Sequence, residues 1–470
     1  MELHYHGSGK VYYKEKEYRF DIYINDDYGA ITIKIIVKQS FCSFIELPIN
    51  INSLAGEYDN GFKFTLLDCH RSGTNDLVSY NQTIFSYSAK YMIKGIGGID
   101  NFDIKFNTIC FNIDNIIEWG GISAYSLDEN NHLTYNKNIK SIIFDDSEYK
   151  IEYSVLYSLL PVVENQLLKS SIELKQTGVI EISLKNKTEG LLYFENIFII
   201  LRRLIEVSII QSVHLTGITG YSDCVVEDFG DEQIKRPIEI IGRFDKKIDS
   251  NNDDIKTWRW INLPELIENN GISNYFSKYE LFKPVIELYI EILYAERVSA
   301  TKVFLNLVQA LETYHSRFIT NDIKDFKERV NLTILAKCPD SQKTYYKNFL
   351  LAHSNKFITL ESRIADLLLA EFNRHFDTGD INYQDFPHII AQTRNYYIHY
   401  DENLKTTGKI LSVEELILYN YVLFNILEYH FLTELGFENT KQLTDKLNER
   451  WGNISTALSI KKASEGKHNP

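Results

Sequence analysis

Two hydrophobic rhythms divide the chain. From Val11 to about Leu184 short runs favour strands: Ile31-Thr32-Ile33-Lys34-Ile35-Ile36-Val37 is β-branched and partly alternating, while Phe102-Asp103-Ile104-Lys105-Phe106 and Ile180-Glu181-Ile182-Ser183-Leu184 alternate cleanly. A period of two puts one strand face in a core and the other in water. Asp59-Asn60-Gly61, Arg71-Ser72-Gly73, Gly97-Gly98 and Asp128-Glu129-Asn130-Asn131 read as turns between the runs. Many short strands so spaced predict an antiparallel sandwich or barrel. The dense apolar stretch Leu191 to Ser212 predicts a helix packed on the sheet, and Ile238-Glu239-Ile240-Ile241 returns to strand.

The rhythm changes after the polar, turn-rich stretch Asp245 to Asp254. Beyond Trp258-Arg259-Trp260 the spacing is helical over Phe282–Arg297, Thr301–Phe318, Leu360–Phe376 and Val413–Leu435, with Gly436 as a stop signal. The expected fold class is therefore α+β and multidomain. A β-rich, antiparallel, sandwich-like region covers residues 1–260 and an all-α domain residues 270–440. A C-terminal helix and a polar tail cover residues 441–470, and the tail beyond Trp451 is expected to fray.

Length and composition agree with a folded, multidomain protein. The 470 residues suit two or three domains, and 44% hydrophobic residues suffice for packed cores. The net charge of −14 excludes a basic coat protein for nucleic acid, so any nucleic-acid chemistry needs a small, locally positive site. The 5 cysteines (Cys42, Cys69, Cys110, Cys224, Cys338) are scattered and form no Cys-x-x-Cys pair, which argues against a zinc cage or disulfide framework and fits a reducing cytoplasm. The N-terminus has no apolar signal core, and Leu191 to Val213 carries Glu195, Arg202, Arg203 and Glu206, so no membrane span is expected.

The chemistry concentrates in Thr393-Arg394-Asn395-Tyr396-Tyr397-Ile398-His399-Tyr400-Asp401, preceded by Pro387-His388-Ile389-Ile390-Ala391, which looks like the first turn of a helix. Arginine is a permanent cation shaped for phosphate, and histidine exchanges a proton near neutrality. On an ideal helix, positions five apart lie roughly 140° apart, so Arg394 and His399 do not share a face, whereas Asn395 and His399 do. Either the arginine reaches around, or the helix ends or loosens near His399. By spacing alone, an exposed arginine capping its helix and a half-buried histidine is the favoured reading. His4 and His6 would face one side of a strand but lack a third metal ligand, as does Cys69-His70. Gly95-Ile96-Gly97-Gly98 reads as a turn, since no phosphate-binding helix follows.

The stretch resembles the Arg-x4-His signature of HEPN ribonucleases, including the polar residue after the arginine, and looks most like the HEPN domain of ApeA-type abortive-infection proteins. Phe304-Leu305-Asn306-Leu307-Val308-Gln309-Ala310-Leu311-Glu312-Thr313-Tyr314-His315 resembles an early helix of the same domain, and Phe64-Thr65-Leu66-Leu67-Asp68-Cys69 carries a weaker N-terminal likeness. The resemblance implies a cytoplasmic antiphage endoribonuclease that cuts host RNA, with tRNA an expected substrate, and needs neither metal nor cofactor. Its catalytic residues would be Arg394, Asn395 and His399. In the early helix, Glu312 either pairs with Arg394 and fixes its pose or is an ordinary solvent-facing glutamate, and His315 is more often structural in such a place. It also implies a homodimer through the HEPN domain and a phage-derived trigger acting on the N-terminal region. The alternative is a HEPN fold that has lost cleavage and serves as a dimerising or nucleotide-binding adaptor. The intact arginine, asparagine and histidine favour the enzyme, and the acidic balance favours the adaptor.

Overall fold

A computed structural model describes residues 5–14, 16–25, 30–38, 47–96, 104–136, 139–158, 174–229, 232–242, 261–294, 298–319, 335–352, 359–376, 381–438 and 440–451. His4, Gly97-Gly98, Phe102-Asp103, the Asp245–Asp254 stretch, Trp258-Arg259-Trp260 and the tail after Trp451 lie outside them. The chain divides into two compact units, residues 1–202 with 213–255, and residues 203–212 with 256–470.

The first unit is built on one continuous antiparallel sheet. Strands β1 (Tyr5–Tyr13), β2 (Lys16–Asn25), β3 (Ala30–Lys38), β4 (Asn50–Tyr58), β5 (Lys63–Leu77) and β6 (Gln82–Lys94) follow the order β6-β3-β2-β1-β4-β5, and β5 pairs back onto β6. The region expected to be sandwich-like thus contains a closed six-stranded barrel. Alternation supplies its interior: Tyr18, Phe20, Ile22 and Ile24 from β2 meet Ile31, Ile33, Ile35 and Val37 from β3 in one buried core. The sheet continues from β6 through β16 (Ile238–Gly242), β13 (Leu215–Tyr221), β7 (Thr108–Ile113), β12 (Gln176–Leu184), β11 (Tyr149–Tyr157) and β10 (Lys140–Asp145), while β8 (Tyr125–Leu127) pairs with β9 (Leu133–Tyr135) and β14 (Val226–Phe229) with β15 (Glu232–Lys235) outside it. Asp59-Asn60-Gly61 turns as expected, with Gly61 at a φ of +82° that favours glycine. Arg71-Ser72-Gly73 does not turn the chain; it forms a bulge inside the long strand β5, where the register against β6 shifts between Arg71 and Gly73.

After the short α1 (Ile117–Gly120), helix α2 (Leu191–Ile209) contributes residues up to Arg202 to the first unit. There Phe198 stacks on Phe111 of β7, ring centroids 4.1 Å apart, and Glu195 pairs with Lys90 at 2.8 Å. Among the described residues, no helix is long and apolar enough to cross a membrane.

The second unit is helical: α3 (Leu263–Glu268), α4 (Gly271–Tyr294), α5 (Ala300–Phe318), α6 (Asp340–Ala352), α7 (Leu360–Leu367), α8 (Phe386–His399), α9 (Glu402–Thr407), α10 (Val413–Glu434) and α11 (Thr440–Trp451). Side chains start many of these helices. Asn262 with Glu265 and Ser412 with Glu415 form capping boxes, and Ser299 and Thr359 cap α5 and α7. The single helix expected over Leu360–Phe376 is broken. Leu368 and Leu369 are extended, and a short 3-10 turn, Ala370–His375, follows. The carbonyls freed at the break are taken up from outside the helix: His430 donates Nε2–H to Leu367 O at 2.8 Å, and Tyr383 donates its hydroxyl to Leu368 O at 2.6 Å.

At the base of this unit lies a buried polar centre. Arg450 has no exposure; its Nε donates to Glu428 at 2.7 Å and its terminal nitrogens to the carbonyls of Ser208 and Val207. Glu428 also accepts from the Tyr289 hydroxyl. Replacing Arg450 with Met strands a buried carboxylate and should destabilise the protein by about 3–5 kcal/mol, and adding Glu428→Leu should restore a large part of the loss. Urea unfolding of the single and double variants measures both.

His375 is buried against Phe372, and desolvation, aided by the neighbouring Arg374, lowers its pKa from 6.5 to about 4. Burial lowers that of His430 as well. Above the ordinary histidine pKa these rings cost nothing. As pH falls from 6.5 toward 4 the unfolded chain takes up the proton first and the native state loses ground. The loss from His375 should reach up to about 3 kcal/mol, and His375→Leu should remove that share of the acid dependence in urea titrations across the window.

Candidate active site

Helix α8 carries the arginine–histidine stretch. Pro387 occupies its first turn, where a missing N–H does no harm, and Phe386, Ile389, Ile390, Thr393 and Tyr396 form its buried stripe. His388, Gln392, Asn395 and His399 follow one another at intervals of four, three and four along another face. The helix stays regular through His399. Tyr400 then turns left-handed, φ 51° and ψ 38°, with its N–H on Tyr396 O at 2.6 Å. The helix thus ends directly after the histidine and does not loosen before it. Arg394 and His399 therefore remain roughly 140° apart about the axis, and only Asn395 shares the histidine's face.

Arg394 is half-buried. Its Nη1 donates to Asn395 Oδ1 at 3.3 Å, and its Nη2 lies 3.9 Å from Glu312 Oε2 on α5, the outer limit of an ion pair. The structure thus brings Arg394, Asn395 and Glu312 together. The His399 ring is exposed, and among the described residues no side chain is hydrogen-bonded to it. His315, one turn beyond Glu312, is sealed in the core: its Nε2 donates to Asp366 at 2.8 Å while its Nδ1 accepts from Arg363 at 3.3 Å. It ties α5 to α7 as a structural residue.

Several neighbours escaped the motif. Thr393 Oγ1 accepts from the amide of Leu411 at 3.2 Å, and the Tyr397 hydroxyl donates to Leu411 O at 3.0 Å. These bonds fix the connection into α10 beside α8. Lys405 of α9 places Nζ 5.0 Å from the centre of the Tyr396 ring and 3.1 Å from Glu402, adding a cation one turn after the Asp401 cap. His388 Nδ1 lies 3.0 Å from Glu361 Oε2, and Gln392 donates to its Nε2 at 2.6 Å. The signal for Lys405 was local, an Asp-Glu helix start followed by lysine. The Glu361–His388 pair joins separate helices and has no sequence signal.

The surface nearby is apolar. Val413, Ile417 and Tyr421 repeat every four residues on α10 and are all exposed, as are Ile398 and Tyr400 at the end of α8. An exposed apolar row of this kind is a candidate contact surface. Among the described residues no three His, Cys, Asp or Glu side chains are grouped so as to hold a metal ion.

Two family models match the chain in sequence. One, described as ApeA N-terminal domain 1, covers residues 4–274, and one, described as Apea-like HEPN, covers residues 305–441. No curated protein and no solved structure matches it.

Proposed function

From the premise that the chain belongs to the ApeA family, we propose that it is a metal-independent endoribonuclease that cuts host RNA, tRNA included, in response to phage. Membership supports a nuclease role in antiphage defence in general, and HEPN domains typically bind RNA and dimerise. The observation that carries the finer reading is the exposed Asn395–His399 pair on one face of α8, with the Arg394 guanidinium bonded to Asn395.

RNA supplies its own nucleophile. A base removes the 2′-hydroxyl proton, the 2′-oxygen bonds to phosphorus, and the bond to the 5′-oxygen breaks as that oxygen takes a proton. The products are a 2′,3′-cyclic phosphate and a 5′-hydroxyl. His399 serves as the proton-transfer group, and Arg394 stabilises the charge that grows on the phosphoryl oxygens. Asn395 orients the histidine or binds a phosphate oxygen, and Glu312 limits where Arg394 can swing. One histidine provides one proton transfer at a time. The separation of Arg394 from His399 around α8 and the exposed apolar row on α10 favour a two-fold dimer whose two motifs face one cleft. The β-rich region carries no recognised catalytic set, which suits a sensor whose ligand prefers the active arrangement.

In purified form the protein should cleave RNA in EDTA to cyclic-phosphate ends, and folded His399→Ala protein should lose that activity by a factor of about 100 or more. In cells, RNA cleavage should follow phage infection with the wild type and be missing with His399→Ala. Undiminished cutting by the folded variant would sink the assignment, and a wild type inert toward RNA would leave the adaptor reading. Light scattering should show a dimer that Ile417→Glu with Tyr421→Glu converts to a monomer of much lower activity; full activity as a monomer would remove the shared cleft.

A further inference from the structure

Helix α6 has no buried side chain among its described residues. Its exposed residues include three aromatics: Tyr345 at 69% exposure, Tyr346 at 41% and Phe349 at 51%. Tyr345 and Phe349 lie nearly parallel, 13° between planes, with centroids 6.4 Å apart.

At about 100° per residue, Tyr345, Phe349 and Tyr346 span an arc of roughly 100°, and Lys343 and Lys347 form a row about 60–100° beyond Tyr346. Lys337 stands exposed on the turn just before the helix. Over Leu335–Ala352 three lysines face one aspartate, Asp340, which pairs with Lys343 at 2.7 Å. This cationic, aromatic helix belongs to a chain with a net charge of −14.

We propose that α6 is a docking element for single-stranded RNA, its aromatic arc stacking bases and its lysine row meeting phosphates. The inference rests on the ribonuclease reading and adds to it a binding site away from Arg394, Asn395 and His399. Aromatic side chains beside a cationic track are the chemistry by which proteins hold unpaired strands, because every base offers a π face. A second copy of this chain is the poorer occupant, since packing α6 on α6 would bring like-charged lysine rows together.

The test measures binding apart from cleavage. Full-length His399→Ala protein, which leaves the probe intact, is titrated into fluorescein-labelled single-stranded oligoadenosine RNA and followed by anisotropy. Adding Tyr345→Ala with Tyr346→Ala should weaken binding by about tenfold or more. Tyr345→Phe with Tyr346→Phe should keep it, because phenylalanine still stacks. Lys347→Glu, an exposed change that spares the aromatic arc, should weaken binding and reduce its dependence on salt. In the cleaving protein the alanine pair and Lys347→Glu should raise KM for long RNA and leave kcat unchanged, while the phenylalanine pair should leave both unchanged. Equal affinity in all variants overturns the inference while cleavage by the wild type leaves the ribonuclease reading intact. Binding lost with α6 in a protein that never cleaves does the reverse. A change from dimer to monomer in the alanine variant, with binding by Lys347→Glu unchanged, would make α6 a contact between copies and also overturn it.

Discussion

Taking a guanidinium out of water costs several kcal/mol unless its donors find acceptors, and Arg450 finds a carboxylate and two backbone carbonyls among them. Glu428, the carboxylate, sits on α10, a helix buried along most of its length. Fixing α10 fixes its start at Ser412 and the preceding Leu411, whose amide and carbonyl are bonded to Thr393 and Tyr397 of α8. A line of contacts therefore runs from a charge at the base of the helical unit to the helix bearing Arg394 and His399. The site is placed by polar bonds of fixed direction, which set the rotation of α8 more tightly than apolar packing alone.

Rotation matters because of helical arithmetic. Arg394 and His399 stand five positions apart on a helix that stays regular to its last residue, so one chain cannot present both squarely to one phosphate. Asn395 bridges the gap by sharing the histidine's face while accepting from the arginine. In a chain with so much negative charge, Glu312 beside Arg394 further reduces the positive field of one copy. Placing two copies of the motif together would answer both problems at once.

Local rhythm made much of this legible. Alternation located β3 and β12, helical spacing located α5 and α10, and Gly436, at a φ of +104°, marks the end of the latter. Pro387 announced the start of α8, and an end near His399 was one of the open readings, although the left-handed residue that stops the helix is tyrosine, not glycine or asparagine. The bulge at Arg71-Ser72-Gly73 was read as a turn because the same residue types serve both. The break after Leu367 depends on His430 and Tyr383, distant in sequence, and so left no local trace. Closure of the barrel rests on β5 returning to β6 and its companion pairings, which strand propensity cannot specify. At the site, the motif was readable from resemblance, Glu312 was one of two open readings and Lys405 had a local signal, whereas Thr393 gains meaning only from Leu411, which folding brings to it.

Strand β6 pairs with β5 along one edge, and along the other first with β3 and then, at Tyr91–Ile93, with β16. The barrel and the open sheet thus share a strand that neither can release alone. Opening either part disturbs a strand that the other uses, so the two should exchange amide hydrogens as one cooperative unit. A ligand that tightens the barrel would slow exchange in β16 without touching it. What a reader of topology would divide into a barrel and an adjoining sheet is joined by one strand that belongs to both.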